Sequence, residues 1–346
     1  MFQPLTYDAV QEAAARIAGR IRPVTVVPVE PGAVATDGAV GRPDPCQVWL
    51  VTEYMQHTGS FKARGAMNFL AAHHEAGSLP EAGVTIASGG NAGLACAWAA
   101  RQHGVPATVF LPERAPGVKV AKLRGYGADV RLIGTEYAEA LAACQDFSAE
   151  TGALASHAYD HPLIAAGAGT LMDEILQRIP DLDTVVVAVG GGGLFAGVAT
   201  AARHHGVHTV AVEPEDCRAL NAALRAGRIV DVPVDSVAAD SLGARRTSAI
   251  ALHAAEQPGV SSVLVPDSRI VHARQALWDD RRIAVEHAAA TALAALAPQE
   301  DAPAPVGPGT LDDAPLRSYR PRGGERIAVV LCGANTDPSD LVVRTA

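Results

Sequence analysis

The chain has 346 residues, 49% of them hydrophobic, with a mean hydropathy of +0.13 and a formal charge of -9. That size supports two lobes with substantial cores, and the charge argues against nucleic acid or an anionic membrane as the main partner. No apolar run reaches membrane-spanning length, and no charged start is followed by a signal-like apolar core. The five cysteines (Cys46, Cys96, Cys144, Cys217, Cys332) are scattered and lack Cys-x-x-Cys spacing, which predicts reduced thiols and a cytoplasmic setting.

In chain order, apolar residues at Val10, Ala13, Ala14, Ile17 and Ala18 predict a helix over 7–20. Val24 to Val29, punctuated by Pro23 and Pro28, reads as extended edge structure, and Gln47 to Val51 as a strand. Strands over 84–87, 107–111 and 129–133 then alternate with helices over 92–103, 118–126 and 137–151. The rhythm resumes with a helix at 163–179, a strand at 184–189, a helix at 195–205 and a strand at 208–212. Helices over 269–280 and 284–296 and a last strand over 326–331 complete the reading. Such alternation predicts an α/β fold of two lobes, each a mostly parallel sheet covered by helices. We place a large domain over 1–71 and 157–346 and a small domain over 72–156. The segment 297–324, dense in Pro, Gly and Asp, reads as a surface insertion that carries no core.

The chemistry centres on Thr58-Gly59-Ser60-Phe61-Lys62-Ala63-Arg64-Gly65. Lys62 opens a helix whose apolar run includes Ala66, Met67, Phe69 and Leu70, so it sits where the positive end of the helix meets an anionic or carbonyl ligand. Apolar neighbours strip hydration from the amine and favour the neutral form that a Schiff-base lysine needs. A solvated lysine near a helix start fits the same stretch.

Further stretches join this one. Ser88-Gly89-Gly90-Asn91-Ala92-Gly93 links a strand to a helix with small residues that let backbone N–H groups reach a carboxylate, although Ser88 or Asn91 as a simple cap also fits. Gly190-Gly191-Gly192-Gly193-Leu194 follows a very apolar strand and opens a helix; so many glycines carry an entropic cost that a phosphate-wrapping loop justifies better than a turn does. It is neither a dinucleotide fingerprint nor a Walker loop. Cys332, at the end of the last strand, fits either a small core residue or a thiol directed at a ring nitrogen.

Together with Val212-Glu213-Pro214, Ser241-Leu242-Gly243-Ala244, Val285-Glu286 and Cys332-Gly333, these stretches resemble the fold-type II pyridoxal-phosphate enzymes (tryptophan synthase β-like), and among them the serine/threonine dehydratases, over nearly the whole chain. The resemblance implies Lys62 as the catalytic Schiff-base residue and Phe61 as the residue against the cofactor ring. It further implies Ser88, Gly89 and Asn91 as the substrate loop, Asn91 also meeting the ring hydroxyl, Gly190 to Leu194 as the phosphate cup and Cys332 as the partner of the ring nitrogen. The implied reaction is β-elimination, in which L-serine, L-threonine or a related β-hydroxy amino acid displaces Lys62 and loses its α-proton to the freed amine and its β-hydroxyl as water, protonated by the cofactor phosphate; Lys62 then releases an enamine that hydrolyses to a 2-oxo acid and ammonia. A cysteine at the ring nitrogen does not stabilise a pyridinium as aspartate does, which agrees with rapid expulsion of a leaving group. A homodimer is implied as well.

The resemblance also implies a cation held by Glu213 and by carbonyls of Gly190, Cys217, Leu242 and Ala244. Relatives that bind a divalent ion carry a second acidic residue six positions on, where this chain has Ala219, so a monovalent ion such as potassium is expected. A Glu213 that caps the next helix or pairs with an arginine fits the residues too. Arg22-Pro23-Val24-Thr25 departs from the family's Arg-Thr-Pro, and with no domain after residue 346 isoleucine feedback is not expected. A racemase or β-replacement enzyme of the same fold, and a non-catalytic amino-acid sensor, are the alternative readings.

Overall fold

The structure is a computed structural model that describes residues 3–30, 45–296 and 318–342. Its strands are β1 (Val26–Pro28), β2 (Gln47–Val51), β3 (Val84–Ala87), β4 (Ala107–Leu111), β5 (Asp129–Leu132) and β6 (Leu154–Ala155). They continue as β7 (Thr184–Ala188), β8 (His208–Pro214), β9 (Val260–Val265) and β10 (Arg326–Val330). A six-stranded sheet runs β1-β2-β10-β7-β8-β9 and a four-stranded sheet runs β5-β4-β3-β6. All pairings are parallel except β1 with β2, so the predicted edge segment is an antiparallel edge strand.

Parallel sheets need cover on both faces, which is why β3, β4 and β7 are buried at every position. The cover begins with α1 (Tyr7–Ile17), α2 (Lys62–Glu75), α3 (Asn91–His103), α4 (Gly117–Gly125) and α5 (Tyr137–Thr151). It continues with α6 (Pro162–Arg178), α7 (Gly193–His204), α8 (Ala219–Ala226), α9 (Ala239–Leu242) and α10 (Ala249–Ala255). The last helices are α11 (Asp267–Arg281), α12 (His287–Ala294) and α13 (Ser339–Val342). The larger apolar core lies under the six-stranded sheet, and a second core surrounds α3 and the four-stranded sheet.

Several sequence expectations shift. The first helix stops at Ile17 rather than residue 20, because Gly19 takes a left-handed φ of 72° just beyond it. β9, α8 and α10 are additional elements. Most of the 297–324 segment, 297–317, lies outside the described residues. Its end does touch core: Tyr319 packs against the larger cluster, its N–H donates to Ala295 O, and its hydroxyl to the buried Glu325. No helix among the described residues is long and apolar enough to cross a membrane.

The loops after the carboxyl ends of β2, β3, β7 and β10 all open toward one crevice, where parallel α/β sheets place their ligands.

Candidate active site

That crevice is a cavity of about 670 Å³, and it brings together Phe61, Lys62, Ser88, Gly89, Asn91, Gly190 to Leu194 and Cys332, along with Leu242 and Ala244. Glu213 and Cys217 do not line it.

The lysine loop is stitched to the chain that follows β10. Phe61 N–H donates to Cys332 O at 3.0 Å, Ala334 N–H to Gly59 O at 2.9 Å, and Ser60 forms an antiparallel bridge with Gly333. Thr58 and Gly59 both take positive φ, 63° and 76°, and turn the chain into α2 with Lys62 at its first position. The Lys62 amine donates to Ala158 O at 2.6 Å and lies 4.8 Å from the Phe61 ring centre. Burial pulls its pKa down to about 8.

After β3 the chain turns into α3. A Cβ on Gly93 would lie 1.9 Å from Ser88 O, so only glycine closes this turn. The Asn91 amide donates to both oxygens of Glu286, at 2.9 and 3.0 Å, and accepts from Asn335 Nδ2 at 2.8 Å. Glu286 also accepts from Ser241 Oγ at 2.8 Å and from Asn335 N–H at 2.7 Å.

After β7, Gly192 takes a left-handed φ of 96°, and a Cβ there would meet Ala251 at 2.3 Å. The backbone N–H groups of Gly190 to Leu194 donate to no acceptor among the described residues, and beside them the buried Thr247 hydroxyl has none either. A row of uncommitted donors at the start of α7 fits a phosphate group. The Tyr159 ring covers this loop and its hydroxyl donates to Arg246 O at 3.1 Å. Burial pushes the Cys332 thiol up to about 12, so it remains protonated and able to donate to a ring nitrogen. The residues present therefore fit pyridoxal phosphate at its amine, ring and phosphate ends.

Glu213 is fully buried and caps α8: its oxygens accept from Leu220 N–H at 2.7 Å and Asn221 N–H at 2.8 Å. Burial raises its pKa to about 8 despite those bonds. Among the described residues no group of three His, Cys, Asp or Glu side chains could hold a metal ion.

Sequence reasoning left out several groups. Glu286 was visible as an acidic residue in front of an alanine-rich helix, and Asn335 stood two residues past Cys332-Gly333, but their meeting with Asn91 spans 195 and 244 residues of chain. Arg64 carries a buried ion triad, donating to Glu53 at 2.6 Å and to Glu174 at 2.6 Å. At the cavity mouth Lys119 of α4 bridges to Asp240 of α9 at 2.6 Å, from one sheet's helices to the other's.

Comparison with known proteins identifies the family. The family described as pyridoxal-phosphate dependent enzyme matches residues 38–310. An L-threonine ammonia-lyase from Geobacter sulfurreducens is 37% identical over 84% of this chain and 71% of its own length. A serine dehydratase-like protein from Homo sapiens is 36% identical over 83% of this chain and 85% of its own. Among solved structures, maize serine racemase superposes with a TM-score of 0.81 at 26% identity, covering 98% of this chain and 96% of that one. With its cavity, its lysine and its glycine loop, the chain belongs to the fold-type II pyridoxal-phosphate dependent enzymes, in the serine/threonine dehydratase family.

Proposed function

We propose that the protein is an ammonia-lyase that eliminates the β-hydroxyl of L-serine, L-threonine or a related amino acid to give a 2-oxo acid and ammonia. The observation that carries this reading is the Lys62 amine, brought to a pKa of about 8 in the same cavity as the uncommitted N–H row at Gly190 to Leu194.

Pyridoxal phosphate, when bound, supplies an aldehyde that links to amines and a ring that draws electrons from the α-carbon. Lys62 would hold the group through that aldehyde. The freed Lys62 amine then takes the α-proton, a role for which a pKa near the working pH suits it. Ser88, Gly89 and Asn91 hold the substrate carboxylate at the start of α3, where backbone N–H groups favour an anion. Phe61 would lie against the ring, Asn91 near its hydroxyl, and the N–H groups of Gly190 to Leu194 would hold the phosphate. Cys332, kept neutral by burial, would donate to the ring nitrogen without charging it. That weakens electron withdrawal and favours loss of a leaving group over reprotonation.

Gly89, which has no side chain, supports elimination over racemisation, since a racemase needs an acid on the face of the α-carbon opposite Lys62. Glu213, with carbonyls of Gly190, Cys217, Leu242 and Ala244, would hold a potassium ion; the cost of a buried carboxylate that raises its pKa is what such an ion offsets. Residues 72–156 would form the small domain carrying the substrate loop, and the working form would be a cytoplasmic homodimer. The experiment is to measure 2-oxo acid release across β-hydroxy amino acids while following recovered L-serine by chiral analysis. Pyruvate forming well ahead of D-serine is expected; D-serine forming as fast would replace the lyase with a racemase, and neither forming would favour a sensor.

A further inference from the structure

The Asn91 side chain is held at both ends of its amide, and the partners leave no choice of orientation. The Glu286 carboxylate accepts only, so Asn91 Nδ2 must face it; the carbonyl of Thr58 accepts only, so Asn335 Nδ2 must face that, at 2.6 Å. The same Asn335 Nδ2 then donates to Asn91 Oδ1 at 2.8 Å. A flipped Asn91 would set its oxygen against the carboxylate and its nitrogen against another nitrogen. Asn335 thus touches the lysine loop, the substrate loop and, through its backbone N–H, Glu286. It also sits over Gly59, where a Cβ would come within 3.1 Å of its amide. The loop it holds is strained, for Thr58 is β-branched and takes a φ of 63°.

We propose that Asn335 and Glu286 are positioning residues: together they fix the Asn91 amide with its donor end on the Glu286 side of the cavity and keep loop 88–91 in register with Lys62. The inference rests on the reading of Asn91 as the contact to the cofactor's ring oxygen. Neither residue needs to touch substrate to matter, because a displaced donor weakens its contact steeply.

The test is Asn335→Asp, an isosteric change that keeps the backbone bond to Glu286 and turns Nδ2 into an acceptor facing Thr58 O and Asn91 Oδ1. In the holoenzyme it should lower kcat for 2-oxo acid release on the order of tenfold to a hundredfold and shift the visible absorbance of the bound cofactor. In an Asn91→Ala background the same change should cost less than about twofold, since residues acting through one another are not additive. A merely structural role would lower the melting temperature yet leave the losses in kcat multiplicative, and that result overturns the proposal. Should Asn335→Asp fail to fold, Asn335→Ser enters the same cycle. In the apoprotein, amide hydrogen exchange at 88–91 should speed about tenfold in the variant; unchanged exchange contradicts the proposal, and this reading stands or falls even if the wild type releases no 2-oxo acid.

Discussion

Lys62 and Ala158 meet where the chain returns from the four-stranded sheet to the six-stranded one, the amine donating to the carbonyl at 2.6 Å. The contact satisfies the amine without charging it, since a carbonyl dipole offsets little of the desolvation that brings its pKa from 10.5 to about 8. Capture of pyridoxal phosphate by the apoprotein requires the neutral amine. Its rate should therefore rise with pH and level off above about 8. Stopped-flow absorbance across pH 6 to 10, as rough limits, checks this, and a midpoint at the ordinary lysine value contradicts it.

Glu213 makes the opposite prediction for stability. Its folded pKa is raised, so its contribution is fully present below its ordinary value of 4.5 and is lost as pH rises through about 8. Glu213→Gln cannot titrate, so the stability of the wild type relative to this variant should fall over that window in tetramethylammonium chloride. Potassium chloride should flatten the fall, because a bound cation favours the ionised carboxylate. Thermal melts of both proteins in the two salts decide the matter; identical slopes would remove the cation site.

Arg64 is fully buried between Glu53, 1% exposed, and Glu174. Arg64→Met leaves the Glu53 carboxylate buried without a cation and should destabilise the protein by about 3–5 kcal/mol. Denaturant melts measure it, and a loss under about 1 kcal/mol would show that Glu53 is carried protonated. That alternative has a physical basis, because burial alone already raises the Glu53 pKa.

Much of the architecture was legible because parallel strands buried on both faces read as unbroken apolar runs: Val84–Ala87 and Ala107–Leu111 were bounded correctly from sequence. β9 escaped because Ser261 and Ser262 interrupt its apolar run at the sheet edge, and α8 and α10 because they are too short for a clear helical period. The site followed the same division. The glycine loop and Ser88 to Asn91 are local motifs, each one strand-to-helix turn long, and Lys62 stands in a local run that opens α2. The Glu286–Asn91–Asn335 network and the Lys119–Asp240 bridge arise only when distant segments fold together, and no local spacing announces them. Glu213 shows a third case: its helix cap is local and real, and so does not by itself separate capping from cation binding.

Lys62 carries both the cofactor link and the proton transfer in the proposed reaction. Lys62→Ala removes the amine that links to the cofactor and takes the α-proton, while Lys119 and Lys122, which also line the cavity, sit in no comparable loop. Release of 2-oxo acid from L-serine should fall by at least about 10⁴-fold, and the visible band of the lysine-bound cofactor should disappear while the fold, read by circular dichroism, persists. A folded Lys62→Ala protein that still forms pyruvate at near the wild-type rate would contradict the assignment of this lysine and the mechanism built on it.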